Sequence, residues 1–304
     1  MTPSATLRRV DFPTRTAMTD VTISWPNGKR VAVVVSVLLE TWSEGKSPSY
    51  FPRTTALQPG EVDLPARQWS QYGAEEGLWR ILGVLERCGV RATVFSNALS
   101  AELHPDLIAQ IVRCGNAVAA HGYAQDQFLQ RMPREEQHAT IRRTLDVLEK
   151  HAGTRPTGWC TPVYGWNEHS HELLAREGLK WHSDALNRSL PRLQKTPGGS
   201  IVAMGWSDFV DNRVLRGSPR TFHDVYIDTF DYLYTQERLG LLHIGFHGHF
   251  GGRPMMSAML SKVLRHIASV PDVWLATHEE IADWFLAQGI EDIPPAQRFL
   301  SAAP

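Results

Sequence analysis

The sequence predicts an α/β fold in which strands and amphipathic helices alternate around a parallel sheet. Short apolar runs alternate with helical segments about eight times along the chain. The first run, VAVVVSVLL, is continuous and rich in β-branched residues, as expected of a strand buried on both faces. Polar residues directly follow several strands, which is where barrel active sites are built, so these strand ends favour a barrel over a doubly wound sheet.

Each predicted element follows from its hydrophobic period and its boundary residues. The predicted strands cover residues 31–39, 90–96, 116–121, 157–160, 179–184, 200–205, 241–247 and 273–276. The predicted helices lie in residues 77–89, 105–115, 141–153, 169–177, 220–238 and 255–268. A last helix starts at a capping box formed by Thr277 and Glu280.

The predicted core is one barrel domain over residues 29–290, between an N-terminal arm (1–28) and a C-terminal tail (291–304). Residues 43–76 are rich in Gly, Pro, Ser and Thr and are too long for a usual βα connection, so we expect a functional loop that covers a site. The pattern does not determine the conformation of residues 43–76 or of residues 185–220.

The amino-acid composition limits the classes of binding partner that we expect. The 31 Lys and Arg residues nearly balance the 32 Asp and Glu residues, so we expect neither nucleic acid nor an acidic membrane as a partner. The three cysteines are too widely spaced for a disulfide framework or a thiolate zinc motif. No run of 18 apolar residues and no secretory h-region is present. We therefore expect a cytoplasmic protein that acts on a small molecule.

Three residues at strand ends are the candidate catalytic groups. Glu40 follows the first strand, where a carboxylate can serve as general base or bind a cation. His121 and His247 end later strands, where imidazole can transfer protons or bind metal. Each residue also has a plainer interpretation when taken alone, as a solvated carboxylate or a structural histidine.

A second group of residues is predicted to bind substrate. Tryptophans can form the walls of a flat pocket, and a cysteine without an activating neighbour lines a pocket as a small hydrophobe. The glycines of HGHFGGRP let backbone approach a ligand, and the arginine there can hold an anionic group. The candidates are Trp42, Trp159, Cys160, Trp166, His249 and Arg253.

The order of several segments resembles the polysaccharide deacetylase superfamily (carbohydrate esterase family 4). These segments include VAVVVSVLLETWSEG, GNAVAAHGY, RPTGWCTPVYGW, FHGHFGGRP and VWLATHEEIADWF, and the similarity extends over nearly all of residues 28–287. Within the superfamily the chain is similar to the branch of the allantoinase analogue and the cyclic imide hydrolases. The resemblance implies a distorted, incomplete (β/α) barrel, a hydrolase of non-peptide C–N bonds and a homo-oligomer.

The chain departs from the family at most of its chemical positions. Leu38 stands where the resemblance implies the aspartate base, and Cys160 stands where it implies the arginine that supports this base. The implied metal ligands are Glu40, His121 and Gln125, and Gln125 replaces the second histidine of an H-x-x-x-H motif. Only His247, the implied general acid, is unchanged.

These departures predict a weakened metal site. An amide oxygen is a poorer zinc ligand than imidazole, so Glu40, His121 and Gln125 would hold a divalent ion weakly unless His249 or Glu44 contributes. Zinc is the first candidate, and activity without metal is the favoured expectation. Because a cyclic amide or imide carbonyl is more reactive than an N-acetyl group, water activated by Glu40 can suffice there, with His121 or His247 donating a proton.

Three functions stay open at this point. The leading hypothesis is ring opening of a small cyclic amide, imide or ureide. The first alternative is a metal-dependent deacetylase or deformylase of a small N-acyl substrate. The second is a catalytically inactive family member that binds a ligand, for which Leu38 at the base position is the best argument.

Overall fold

One curled sheet of nine strands organises the computed structural model, which describes residues 23–53 and 56–299. The strands are β1 (Val31–Leu39), β2 (Thr93–Ser96), β3 (Ala117–Ala120), β4 (Gly158–Trp159), β5 (Trp181–His182), β6 (Arg192–Thr196), β7 (Gly199–Ala203), β8 (Gly240–His247) and β9 (Val273–Ala276). Their order is β6-β7-β5-β4-β3-β2-β1-β8, and β9 also pairs with β1. All pairings are parallel except that of β6 with β7.

Strand β1 is buried along its whole length and pairs with three other strands. One edge of β1 pairs with β8 over residues 31–38. Its other edge is shared, since residues 31–34 pair with β9 and residues 36–39 pair with β2. The two ends of the sheet, β6 and β8, do not pair within the described residues, and a single bridge between Val210 and Gly245 joins the segment after β7 to β8. The predicted incomplete barrel is therefore confirmed.

The helices connect the parallel strands and cover the outside of the sheet. They are α1 (Leu64–Tyr72), α2 (Leu78–Cys88), α3 (Ala98–Leu103), α4 (Pro105–Arg113), α5 (Arg134–Ala152), α6 (Ser170–Arg176), α7 (Pro219–Gln236), α8 (Gly248–Gly251), α9 (Pro254–Ala268), α10 (His278–Ala287) and α11 (Pro295–Phe299). A π-helical turn, Gly73–Gly77, joins α1 to α2. In the described part of the chain, no helix combines the length and the apolar character that crossing a bilayer requires.

The structure departs from the predicted elements mainly in two segments. Residues 43–76 contain helix α1 as well as a loop, and residues 185–220 contain strand β6. The predicted strands 157–160 and 179–184 shorten to two residues each, because their ends bend into the loops that carry polar side chains. Helices α3, α8 and α11 were also not predicted.

The terminal segments are described only in part. Residues 1–22 of the predicted arm and residues 300–304 of the predicted tail lie outside the described residues. Within the arm, Trp25 is fully buried and donates its indole N–H to the carbonyl of Gly240 at 3.0 Å. Its ring packs on Trp274 and Trp284. The described part of the arm is therefore anchored to the barrel through Trp25.

The register of the sheet places the candidate residues side by side. Leu39 pairs with Ser96, Ser96 with Ala120, and Ala120 with Trp159. The residues that follow these strands, Glu40, Asn97, His121 and Cys160, consequently meet at one edge. Strand β8 brings His247 opposite Leu38 from the other side of β1.

Candidate active site

Glu40 lies at the centre of a buried polar cluster at the carboxyl end of β1. Its side chain accepts a hydrogen bond from Nε2 of Gln125 at 2.8 Å and another from the Tyr50 hydroxyl at 3.2 Å. Only 7 % of Glu40 is exposed, and Gln125 is also buried. Tyr50 comes from the loop after β1, so this loop covers the carboxylate as predicted for residues 43–76.

Three histidines surround the carboxylate of Glu40. Nε2 of His121 and Nε2 of His247 lie 3.7 Å and 3.8 Å from Oε1, and Nδ1 of His249 lies 3.7 Å from Oε2. Burial alone would raise the pKa of Glu40, but the positive charge of His247 lowers this pKa to about 2. Glu40 is therefore an ionised carboxylate at every physiological pH.

His247 is held as a cation by Asp211. Asp211 is fully buried; Oδ1 lies 2.5 Å from Nδ1 of His247 and Oδ2 accepts the backbone N–H of His247 at 2.9 Å. Burial alone would lower the pKa of His247, but the carboxylates of Asp211 and Glu40 raise this pKa to about 9. His247 can therefore donate a proton from Nε2 at neutral pH. Sequence reasoning missed Asp211, because it lies in the segment 185–220 without a pattern of its own.

His121 is oriented through its other ring nitrogen. Nδ1 lies 2.7 Å from the carbonyl oxygen of Cys160, which fixes the proton on Nδ1 and leaves a lone pair on Nε2. That Nε2 is buried and has no hydrogen-bond partner among the described residues. Asn97 supports the arrangement, since its amide accepts from the backbone N–H of Thr41 at 2.9 Å and donates to the carbonyl of His121.

His249 has a matching arrangement on the opposite side of Glu40. Tyr50 donates its hydroxyl proton to Glu40, so the hydroxyl oxygen accepts from Nε2 of His249 at 3.0 Å and Nδ1 of His249 carries the lone pair. Burial lowers the pKa of His249 to about 3, so its ring is neutral. The backbone of His249 packs closely against Gly73 in the π-helical turn. A Cβ on Gly73 would lie only 3.0 Å from the backbone nitrogen of His249, so a side chain there would disturb the position of His249.

Three buried acceptor atoms near Glu40 lack a hydrogen-bond partner in the described structure; we call them the orphaned acceptors, and they indicate whether the cluster can hold a cation. Nε2 of His121, Nδ1 of His249 and Oε1 of Gln125 are all buried, and none has a partner in the described part of the chain. Two imidazole lone pairs that face one carboxylate repel it unless a positive charge lies between them. Glu40 and these residues therefore fit a divalent cation.

The other predicted substrate-binding residues occupy different places. The ring of Trp42 is half-buried and lies 5.8 Å from that of His249, within the cluster. Trp159 is fully buried and donates its indole N–H to Thr161, so the structure does not bring it to the surface of the site. Trp166 lines a separate cavity. Arg253 stacks over the ring of Tyr72 and donates to two backbone carbonyls, which occupies its guanidinium.

Cys160 contributes its backbone rather than its thiol. Burial raises the pKa of the Cys160 thiol well above its usual range, so the thiol stays protonated. The carbonyl of the same residue orients His121. Cys160 is therefore not an activated nucleophile, and its role in substrate binding stays a prediction.

A second cluster, His171, His182 and Asp184, also brings three potential metal ligands within 4.8 Å of one another. Its atoms already have partners. Asp184 accepts from the backbone N–H and hydroxyl of Thr161 and lies 3.4 Å from Nε2 of His171. Gln194 bridges the two histidine rings, at 3.0 Å from His182 and 3.1 Å from His171. Because these bonds use the ligand atoms, the cluster is a closed hydrogen-bond network, unlike the orphaned acceptors around Glu40.

Several known proteins are similar to this chain in sequence or in fold. Residues 70–182 match the family described as Polysaccharide deacetylase. The peptidoglycan deacetylase of Helicobacter pylori is 24 % identical over 251 residues, which cover 71 % of this chain and 85 % of the relative. The crystal structure of PuuE allantoinase has a TM-score of 0.77 at 25 % identity, over 91 % of this chain and 98 % of that chain. A Mycobacterium smegmatis crystal structure named for the deacetylase family has a TM-score of 0.76 at 25 % identity, over 93 % and 97 % of the two chains.

These similarities confirm the resemblance that the ordered segments indicated and the predicted enzyme class, a hydrolase that acts on C–N bonds. The chemical roles assigned to Glu40, His121 and His247 stay predictions. Residues 70–182 are therefore similar to the Polysaccharide deacetylase family, and the incomplete α/β barrel is similar to solved structures named for that family.

Proposed function

We propose that the protein hydrolyses the amide C–N bond of a small cyclic amide, imide or ureide. The observation that carries this proposal is the cover over Glu40. The Tyr50 hydroxyl forms hydrogen bonds with both Glu40 and His249 and so lies across the carboxylate. Glu40 and the three histidines around it are each less than 10 % exposed. A compact ring fits beneath such a cover better than an internal residue of a polysaccharide chain, which needs an open groove. The similarity to an allantoinase supports the same substrate class.

The three candidate catalytic residues have distinct roles in this proposal. Glu40 is ionised and accepts a hydrogen bond from the attacking water, which orients the water towards the ring carbonyl carbon. Nε2 of His121 takes the proton from this water, because it is a buried imidazole acceptor without a partner in the described structure and faces the same oxygen of Glu40 as Nε2 of His247 does. His247 is not equivalent to His121, since Asp211 keeps it cationic and so makes it a donor.

The bonds in this reaction balance without another reactant. The water oxygen forms a bond to the carbonyl carbon, and the ring C–N bond breaks. Nε2–H of His247 protonates the leaving nitrogen, and the proton on His121 returns through solvent to His247. The product is an open chain with a new carboxylic acid, which ionises by losing its proton to solvent.

A divalent cation would change how the water is activated. Glu40, His121, His249 and Gln125 are the residues that would hold it, and when bound it would lower the pKa of a water molecule and polarise a carbonyl. The proposal does not require it, because His121 and His247 supply an acceptor and a donor.

A metal-dependent deacetylase of a small N-acyl substrate is the second candidate. The family match and the orphaned acceptors around Glu40 favour it. Acetate release from N-acetylglucosamine or an N-acetylated amine, measured with and without added zinc, tests it. Release that depends on zinc and on His121, without any ring opening, would replace the leading proposal with this one.

A further inference from the structure

The cavity beside the hydrogen-bond network leads to an inference that is independent of the proposed reaction. It has a volume of about 320 Å³ and lies where β5 and β6 meet the start of helix α6. Its lining includes Trp166, Leu186, Arg192 and Gln194. We propose that this cavity binds a planar organic carboxylate, with Arg192 as the group that recognises the anion.

Arg192 has a charge without a counterpart in the described structure. Its guanidinium forms neither an ion pair nor a hydrogen bond with any described residue, and its Nε is buried without a partner. The neighbouring arginines differ, because Arg188 pairs with Asp292 at 2.9 Å and Arg298 pairs with Glu237 at 2.7 Å. An unpaired, half-buried guanidinium is costly, and a carboxylate is the planar anion whose two oxygens match its donors.

The strand geometry aims Arg192 into the cavity. Arg192 and Gln194 are two positions apart in β6, so their side chains leave the same face of the sheet edge. Gln194 is fixed by the rings of His171 and His182, which makes this face rigid. Arg192 therefore lies beside a rigid wall of the cavity, from which its guanidinium can reach a ligand.

The floor of the cavity does not neutralise Arg192. Burial lowers the pKa of His182 to about 4, so its ring is uncharged. Asp184 is ionised, but its oxygens accept from Thr161 and His171, and it forms no ion pair with Arg192 in the described structure. Asp184 also lines the cavity, but its oxygens are bonded to Thr161 and His171, so Arg192 is the charged group of the lining that an entering anion can pair with.

The walls of the cavity favour a flat, apolar body. Trp166 is 37 % exposed and its ring packs 4.8 Å from that of His171, and Leu186 is 62 % exposed. Exposed aromatic and aliphatic side chains beside one polar anchor are typical of small-molecule sites. The volume is at the lower end of the roughly 300 to 1,000 Å³ found for such sites, which suits a single ring that carries a carboxylate.

Isothermal titration calorimetry with benzoate and benzamide tests the inference. The two probes have the same shape and differ in charge. We expect wild type to bind benzoate at least about 10-fold more tightly than benzamide, and Arg192→Gln to lose this preference. Arg188→Gln removes one positive charge near the cavity but not from its lining, and it should bind both probes as wild type does.

Two further variants make the result decisive. Arg192→Lys keeps the charge but not the planar pair of donors, and we expect an intermediate preference for benzoate. Glu40→Gln should bind benzoate as wild type does, so a failure of the proposed hydrolysis would leave this result unchanged. Equal benzoate affinity in wild type and in a folded Arg192→Gln protein, or no benzoate binding to wild type, would overturn the inference.

Discussion

Asp211 and His247 are the pair in which one residue most directly sets the chemistry of another. The carboxylate of Asp211 is 2.5 Å from Nδ1 of His247 and keeps the ring charged up to about pH 9. His121 receives no such support, because its Nδ1 faces the neutral carbonyl of Cys160. The sequence analysis could not decide which of the two histidines donates a proton. The structure makes His247 the donor and His121 the acceptor.

Asp211→Asn should therefore change the pH dependence as well as the rate. Without the carboxylate, the pKa of His247 falls, so the limb of the pH–rate profile near pH 9 moves to lower pH. We expect kcat to fall about 100-fold or more at pH 8, in the range of a lost general acid. Asp208→Asn, at an exposed neighbouring position, is the matched control. An unchanged limb in Asp211→Asn would refute the role of this pair.

Gln125 offers a test of the weakened metal site. Its amide oxygen is one of the orphaned acceptors, and replacement by histidine supplies a stronger zinc ligand at the same position. We expect Gln125→His to raise zinc affinity about 10-fold or more, measured by competition with a chromogenic chelator. Gln130→His, at an exposed position, should leave the affinity unchanged. Equal zinc affinities in wild type and Gln125→His would show that the cluster around Glu40 does not form the metal site.

At the scale of elements, the loop after β1 determines access to the site. It carries Trp42 and Tyr50, and Tyr50 contacts Glu40 and His249 directly. The loop is anchored at its start, because the backbone N–H of Ser43 donates to Asp126 at 2.7 Å. A substrate must displace Tyr50 or bind beneath it, so this loop acts as a cover that separates the site from bulk solvent.

Tyr50→Phe tests this cover. The variant keeps the ring but loses both hydrogen bonds of the hydroxyl, and each such bond contributes about 1 kcal/mol. We expect kcat/KM for a ring substrate to fall about 10-fold. Phe51→Leu, which changes the next residue without touching Glu40, serves as the control. A Tyr50→Phe enzyme with the kinetics of wild type would mean that the loop does not close over the reaction.

At the scale of the whole molecule, the interior of the barrel holds neutral histidines. His243 and His278 are buried with their rings 5.7 Å apart, and both ring nitrogens of His243 lack partners in the described structure. Burial lowers the pKa of His243 to about 4 and that of His278 well below its usual range. Between pH 4 and 6.5 the unfolded chain consequently binds more protons than the folded chain does.

The free energy of unfolding should therefore rise with pH across this window. His243 alone contributes about 3 kcal/mol, which is present above pH 6.5 and lost as the pH falls towards 4. Urea unfolding of wild type and His243→Leu at pH 5 and pH 7 measures this contribution. We expect a smaller difference between the two pH values in the variant, and an equal difference would contradict the prediction. His223→Leu, which removes a partly exposed histidine, is the control.

The sequence predicted those parts of the molecule whose apolar residues follow the period of a strand or a helix. The barrel was predicted from the buried run of β1, the amphipathic period of the helices and the capping box of Thr277. Because Glu40, His121 and His247 follow or end strands, the same pattern predicted that they lie at one edge of the sheet. Asp211, Tyr50 and Asn97 were missed, because they lie in loops or turns whose position depends on tertiary contacts. For the same reason the sequence indicated Arg253 as an anion-binding residue, whereas Arg253 is engaged by backbone carbonyls and Arg192 is not.

Ring opening is the measurement that tests the central claim most directly. Purified wild-type protein is incubated with a panel of hydantoin, dihydrouracil, succinimide and allantoin, and in parallel with an N-acetylglucosamine oligomer. We predict opening of at least one ring, abolished in Glu40→Gln and in His247→Ala, and no release of acetate from the oligomer. Acetate release from the oligomer without opening of any ring would contradict the account.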